Sequence, residues 1–235
     1  MNKKNKRHKE NSAKVENKLY TLNEAVELAI QMKAPKFVES IDLNSRLGID
    51  PKKADQAVRG TVALPHGTGK KIRVLAFATG ADADAAKEAG ADFVGYEDLI
   101  KKIKDGWTDF DIAIASPATM REVGKIGRVL GPRGLMPSPK AGTVTQDVGT
   151  AVTEFKSGKV EFRADKQAGI HCPVGKVNFT AEQITDNICA LVGAILKLKP
   201  SAAKGTYLQK ISISTTMGPG IRIDPNDAES MALKK

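Results

Sequence analysis

The 235 residues are 41% hydrophobic and 27% charged, which excludes a disordered chain and supports a buried core, with a length that favours two domains over one. No apolar run reaches spanning length and the first residues lack the apolar stretch of a signal peptide, so a cytoplasmic protein without a membrane partner is expected. The net charge of +10 points to a polyanionic partner, and it is uneven: residues 67–159 carry 14 Lys+Arg against 12 Asp+Glu, leaving +8 on the flanking segments.

In chain order, Lys3, Lys4, Lys6, Arg7 and Lys9 form a basic arm without apolar periodicity, either a solvated tail or a segment lying on phosphates. Thr21-Leu22-Asn23-Glu24 is a capping-box signature, and Leu22, Ala25, Val26, Ala29 and Ile30 share one helical face up to Pro35. From Phe37 to Leu47 the residues alternate, Ile41, Leu43 and Leu47 against Ser40, Asp42, Asn44 and Arg46, which predicts a strand with one wet face. Asp50-Pro51 opens a short helix, and Arg59 to Leu64 reads as a strand ended by Pro65.

At His66-Gly67-Thr68-Gly69-Lys70-Lys71 the character of the chain changes. Gly69-Lys70 lacks both the upstream glycine and the following Ser or Thr of a phosphate loop, so the segment reads as a basic hinge. Strands at Ile72–Ala78, Phe93–Gly95 and Phe110–Ala115 then alternate with helices at Asp82–Ala89, Leu99–Lys104 and from Ser116-Pro117 to about Ile126. Such alternation predicts a parallel sheet covered on both faces, a Rossmann-like layer domain. Gly127 to Val144, with three prolines and several glycines, predicts an irregular loop carrying Arg128, Arg133 and Lys140. That loop is either a structural cover or a track for nucleic-acid phosphates.

A helix over Asp147–Lys156 closes this part. Wet-faced strands then return at Val160–Arg163 and Ile170–Val174, around a turn at Asp165-Lys166-Gln167-Ala168-Gly169. Thr180-Ala181-Glu182-Gln183 is a second capping box, opening a helix with Ile184, Ile188, Leu191, Val192 and Ile195 inside. Tyr207 to Thr215 is a strand that gives up pairing at Thr216-Met217-Gly218-Pro219-Gly220, and residues after Asp224-Pro225 read as a tail. The predicted architecture is an α+β domain built from both termini, residues 1–66 and 160–235, with a Rossmann-like three-layer α/β domain inserted at 67–159.

No catalytic pattern emerges. The three histidines, His8, His66 and His171, are scattered, Cys172 and Cys189 have no metal-site spacing, and neither a nucleophile elbow nor a zinc helix motif is present. The turn after the first middle strand, Thr79-Gly80-Ala81-Asp82, lacks dinucleotide spacing and puts acids where a pyrophosphate would sit, against a nucleotide-dependent enzyme. No cofactor and no metal are expected. A third reading, a charge-driven condenser, would not distinguish RNA from DNA. The uncharged, hydroxyl-rich run from Ser212 to Gly220 instead suits a partner that displays 2′-hydroxyls.

Several long motifs, in order, resemble the bacterial form of the family of ribosomal protein number one of the large subunit. They are Ala34-Pro35-Lys36-Phe37-Val38-Glu39-Ser40, Leu47-Gly48-Ile49-Asp50-Pro51, Asp55-Gln56-Ala57-Val58-Arg59-Gly60-Thr61, Leu64 to Lys70, Leu130 to Pro137, Phe162 to Lys166, Ile170 to Lys176 and Thr215 to Pro219. The resemblance spans essentially the whole chain. It implies a monomer within the large subunit that binds large-subunit ribosomal RNA at the mobile stalk beside the exit-site tRNA and represses its own operon mRNA. The RNA contacts it implies are Lys36, Phe37, Ser40, Asp42, Arg163, Asp165, Lys166, His171, Thr216, Met217 and Gly218, with the loop of Arg128, Arg133 and Lys140 toward tRNA or the other domain. Gly218 is expected to matter because a side chain would hold RNA away. Ala57, Ala164 and Ser138 stand where asparagine is common in the family.

Overall fold

A computed structural model describes residues 6–32 and 35–234, apart from the side chains of Ala54 and Lys140. In chain order its elements are α1 (Lys6–Lys14), α2 (Leu22–Ile30), β1 (Ser40–Leu47), β2 (Arg59–Ala63), β3 (Val74–Phe77), α3 (Ala81–Glu88), β4 (Phe93–Gly95), α4 (Glu97–Lys104), β5 (Ile112–Ala115), α5 (Met120–Val123), α6 (Gly127–Leu130), α7 (Val148–Ser157), β6 (Lys159–Arg163), β7 (Gly169–Lys176), α8 (Ala181–Lys197), β8 (Leu208–Thr215), β9 (Gly220–Ile223) and α9 (Pro225–Lys234). The fold is mixed α/β, with three sheets among the described residues, and the chain divides into two units, Met1–Gly69 with Val160–Lys235, and Lys70–Lys159.

In the first unit both capping boxes form. Thr21 accepts from the Glu24 N–H and Thr180 from the Gln183 N–H, while Glu24 and Gln183 reach back to the cap backbones, satisfying amides that a helix start leaves open. The amphipathic faces of α2 and α8 then bury Leu22, Val26, Ile184, Ile188, Leu191 and Val192 against one face of an antiparallel sheet in the order β7-β1-β8-β9. Ile41, Leu43, Ile170, Cys172, Ile211, Ile213, Ile221 and Ile223 line that inner face. Period-two alternation leaves the opposite face polar. β2 and β6 form a separate two-stranded sheet.

Three expectations about this unit are corrected. The part of the basic arm within the described residues is helix α1, with Asn11 buried; Lys3 and Lys4 lie outside them. The expected tail is α9, in which Ala228, Met231 and Ala232 recur at helical spacing and join the core, while the Asp227 carboxylate accepts the Leu22 N–H at 2.8 Å. The helix expected at Asp50-Pro51 is only a 3-10 turn at Ala54–Gln56. Both cysteines are buried, and burial pushes the Cys172 thiol up to about 12.

The second unit holds a parallel sheet in the order β4-β3-β5. Leu75, Phe77, Ala113 and Ala115 pack on Leu99 and Ile103 of α4 and on Val123, Ile126 and Leu130, whereas Val74, Ala76 and Ile114 pack on Ala86, Val148, Val152 and Phe155. The apolar runs are therefore strands buried on both faces. The helix expected from Ser116-Pro117 is broken instead. Thr119 turns inward, its hydroxyl donating to the Phe77 carbonyl at 2.9 Å, and helical structure continues past Ile126 as α6, in a segment expected to be wholly irregular.

Candidate nucleic-acid interface

The polar face of the four-stranded sheet is built in rows. Antiparallel register sets Asn44 opposite His171 on one side and Ser212 on the other, with Arg222 beyond Ser212. The neighbouring row is Pro173, Asp42, Ser214 and Gly220, and the next places Arg46 between Gly169 and Lys210. Within this lattice Asn44 Nδ2 donates to Ser214 Oγ at 3.4 Å, so its Oδ1 is the acceptor 2.7 Å from His171 Nδ1. The imidazole thus donates from Nδ1 and turns Nε2 toward Asp165 Oδ2 at 3.5 Å, an ion pair whenever the ring is protonated.

Asp165 itself anchors the turn before β7. Its Oδ1 accepts the N–H groups of Gln167 and Gly169, each at 2.7 Å, and these bonds, followed by His171, hold its carboxyl below the usual range. The turn passes through Ala168 at φ 62, the left-handed region, and exposes Lys166. Arg163 is exposed at the end of β6. Asp42 is half-buried, and desolvation raises its carboxyl.

At the other end of the rows, β8 and β9 join through Thr216-Met217-Gly218-Pro219. The Thr216 hydroxyl accepts the Ser40 N–H at 3.1 Å and donates to the Ser40 carbonyl at 3.3 Å, closing the turn against β1. Met217 is 51% exposed and Phe37 52%, with Lys36 and Val38 also exposed beside the start of β1. An apolar ledge thus borders a hydroxyl and amide face. The expected reason for Gly218 is corrected: a Cβ there would point inward, 2.3 Å from Thr215 Oγ1 and 3.3 Å from Met32 Sδ. Its hydrogen keeps the turn closed, whatever lies outside.

The structure therefore groups Lys36, Phe37, Ser40, Asp42, Thr216, Met217 and Gly218 at one end of the sheet and Asp165, Lys166 and His171 toward the other. Arg128 and Arg133 belong to the second unit, where Arg133 hydrogen-bonds Thr108, and the Lys140 side chain lies outside the described residues. Sequence reasoning placed Ser212 and Ser214 in a hydroxyl-rich run suited to RNA, but missed Arg222 as part of the face. The Ser212/Ser214 alternation was visible, but β9 was not, because Gly218-Pro219-Gly220 reads as the end of pairing, whereas Thr216 to Pro219 is a hairpin turn and Gly220 already begins β9. Among the described residues, no group of three or more His, Cys, Asp or Glu is placed to hold a metal ion, and no helix is long and apolar enough to cross a membrane.

A model of the ribosomal protein L1p/L10e family matches residues 28–219. The chain belongs to that family. It is 58% identical over 207 residues to the large ribosomal subunit protein uL1 of Cutibacterium acnes, covering 88% of this chain and 89% of that protein. The uL1 of Renibacterium salmoninarum is 54% identical over 233 residues, 99% of each chain, and that of Kosmotoga olearia 55% over 207 residues, 88% of this chain and 90% of that protein. Membership of this ribosomal family makes the protein a non-enzymatic one, and the nucleotide-dependent enzyme considered for the parallel-sheet unit falls with it.

Proposed function

We propose that this protein is a structural constituent of the large ribosomal subunit in the bacterial cytoplasm, holding large-subunit ribosomal RNA on the outer face of its four-stranded sheet. The observation that carries the reading is the pair of neighbouring rows that hold His171, Asn44, Ser212 and Ser214, bordered by the exposed Met217 and Phe37. Hydroxyl, amide and imidazole groups fixed on rigid strands can exchange hydrogen bonds with 2′-hydroxyls and base edges, the thioether and phenyl ring can pack on sugars or bases, and Arg163 and Lys166 supply phosphate attraction. The α+β domain of residues 1–66 and 160–235 is the RNA-holding part. The inserted Rossmann-like domain, 67–159, near neutral in charge, meets exit-site tRNA through the segment of Arg128, Arg133 and Lys140 and helps release it as the stalk moves. The same face binds the protein's own operon mRNA and represses its translation.

The test is a titration of a stalk-sized fragment of large-subunit ribosomal RNA at two salt concentrations, with a DNA control. The intact protein is compared with a chain joining residues 1–66 to 160–235. Tight, RNA-selective binding by both is the expected result. Equal affinity for DNA, or loss of binding by the folded shortened chain, sinks the assignment. For the regulatory reading, added protein should lower in vitro translation of its own operon mRNA and not of an unrelated message.

A further inference from the structure

Beyond the residues assigned so far, the RNA-holding unit carries a cleft of about 680 Å3 at the end of β1 away from Met217. Arg46, Lys53, Lys166 and Lys204 line it, against Asp50 as its one carboxylate. All four cations are exposed, and among the described residues none has a carboxylate partner within ion-pair distance. Asp50 is itself engaged, its Oδ1 accepting the Lys52 N–H at 3.2 Å.

The walls are held in place. Gly48 donates to the Tyr207 carbonyl at 2.7 Å, and a Cβ on Gly48 would lie 2.2 Å from the Thr206 carbonyl oxygen, so only glycine lets these two segments close the floor. Gln56, buried, accepts the Asp50 N–H at 2.7 Å and fixes the loop that carries Lys53. Leu47 donates to the Ala168 carbonyl at 2.9 Å, which ties the Lys166 turn to the end of β1. Four unneutralised cations on braced backbone make a concave, preorganised anion site.

Continuity identifies the occupant. Arg46 and Gln167 also line the adjoining cleft with Asn44, Asp165, His171, Lys210 and Ser212, so the basic cleft opens directly onto the hydrogen-bonding rows. From Ser40 to Arg46 the strand covers roughly 20 Å, enough for several nucleotides. We infer that this cleft holds the phosphodiester backbone of the same RNA strand where it leaves the sheet, with Arg46, Lys53 and Lys204 as phosphate contacts that add affinity without sequence information.

This inference rests on the RNA-holding reading of the unit, and one experiment separates the two. The intact protein, a Lys53→Gln/Lys204→Gln variant and a Lys101→Gln/Lys102→Gln control on α4 are titrated with the ribosomal RNA fragment over a salt series. The cleft variant should bind on the order of tenfold more weakly, with a log K against log salt slope shallower by roughly 1.5, while the control keeps both values. Charge reversal, Lys53→Glu/Lys204→Glu, should deepen the loss at an unchanged melting temperature, since both side chains are exposed. Wild-type affinity and slope in both cleft variants would overturn the cleft and leave the sheet face standing. Failure of the unaltered protein to bind the RNA would overturn both.

Discussion

The carboxylate of Glu39, only 3% exposed, accepts the backbone N–H of Met217 at 2.7 Å. A buried acid just before β1 thereby holds the turn that displays the exposed Met217 thioether beside the polar face of the sheet. Neither the alternation of β1 nor the turn residues after β8 announces this bond.

Glu39→Ala should therefore act on the turn. A charge-assisted hydrogen bond of this kind contributes roughly 1.5–3 kcal/mol. The expected result is a lower melting temperature and a roughly tenfold loss of affinity for the ribosomal RNA fragment, with Glu39→Gln intermediate because its amide oxygen still accepts. Unchanged RNA affinity in the alanine variant would show that the turn holds its geometry without Glu39.

Met217 and Gly218, adjacent in the chain, should behave differently. Met217→Ala removes an exposed side chain, so stability should stay within about 0.5 kcal/mol while RNA affinity falls. Gly218→Val drives a Cβ into Thr215 Oγ1 and the sulfur of Met32, so thermal unfolding should come earlier by an amount equivalent to about 1–3 kcal/mol, with RNA binding lost alongside. Full affinity in Met217→Ala takes that side chain out of the interface, and a wild-type melting curve for Gly218→Val contradicts the inward-facing hydrogen.

Asn187 is fully buried on α8, where its oxygen accepts the His66 N–H at 3.1 Å and its amide donates to the carbonyls of Gly67 and Val174 at 2.9 and 2.8 Å. Asn187→Ala strands three backbone groups and should cost about 3 kcal/mol or more, read as a lower urea midpoint. Asn187→Asp keeps the acceptor and loses both donors, and should be no better. A cost below 1 kcal/mol would mean that water replaces the amide.

In the second unit Asp111 ties the entry segment to β5. Lys70 Nζ lies 2.8 Å from one carboxylate oxygen, and the Arg73 N–H and Nε reach the other at 3.1 and 3.2 Å. Together, with the Lys70 bond first, they lower the carboxyl from 3.8 to about 2. Because the folded value is depressed, the stabilisation is full above the unfolded value of 3.8 and disappears as pH falls through about 2. Asp111→Asn should therefore reduce hydrogen-exchange protection of β3 and β5 at pH 7 and make little difference near pH 2. An equal deficit at both pH values would assign the loss to the amide and not to charge.

Much of the fold was legible because it depends on short-range patterns. The two capping boxes fix where α2 and α8 begin whatever surrounds them, and the alternation of Ser40 to Leu47 assigns Ile41 and Leu43 to the core and Asp42 and Asn44 to the wet face. Continuous apolar runs such as Val74–Phe77 likewise announced a sheet covered on both sides. For the candidate site, the sequence offered the motifs at Phe37, Arg163 to Lys166, His171 and Thr216 to Gly218 and the hydroxyl run from Ser212, but not the bonds that position them. What failed was local too: α9 was taken for a tail because its apolar residues are few, and α5 and α6 were obscured by glycines and a proline.

By itself, then, the sequence determined where α2 and α8 start, which side of β1 and β8 is wet, the concentration of positive charge outside residues 67–159, and the family. Only the tertiary structure decided that Asn44 bridges His171 and Ser214, that Glu39 holds Met217, that Gly218 faces Thr215 and that Arg46, Lys53, Lys166 and Lys204 share one cleft. The reason is physical. Caps and alternation arise from bonds and torsions spanning a few residues, whereas strand register and loop convergence are set by the packing of segments as much as 205 positions apart, and in a single chain no local pattern encodes which of them meet.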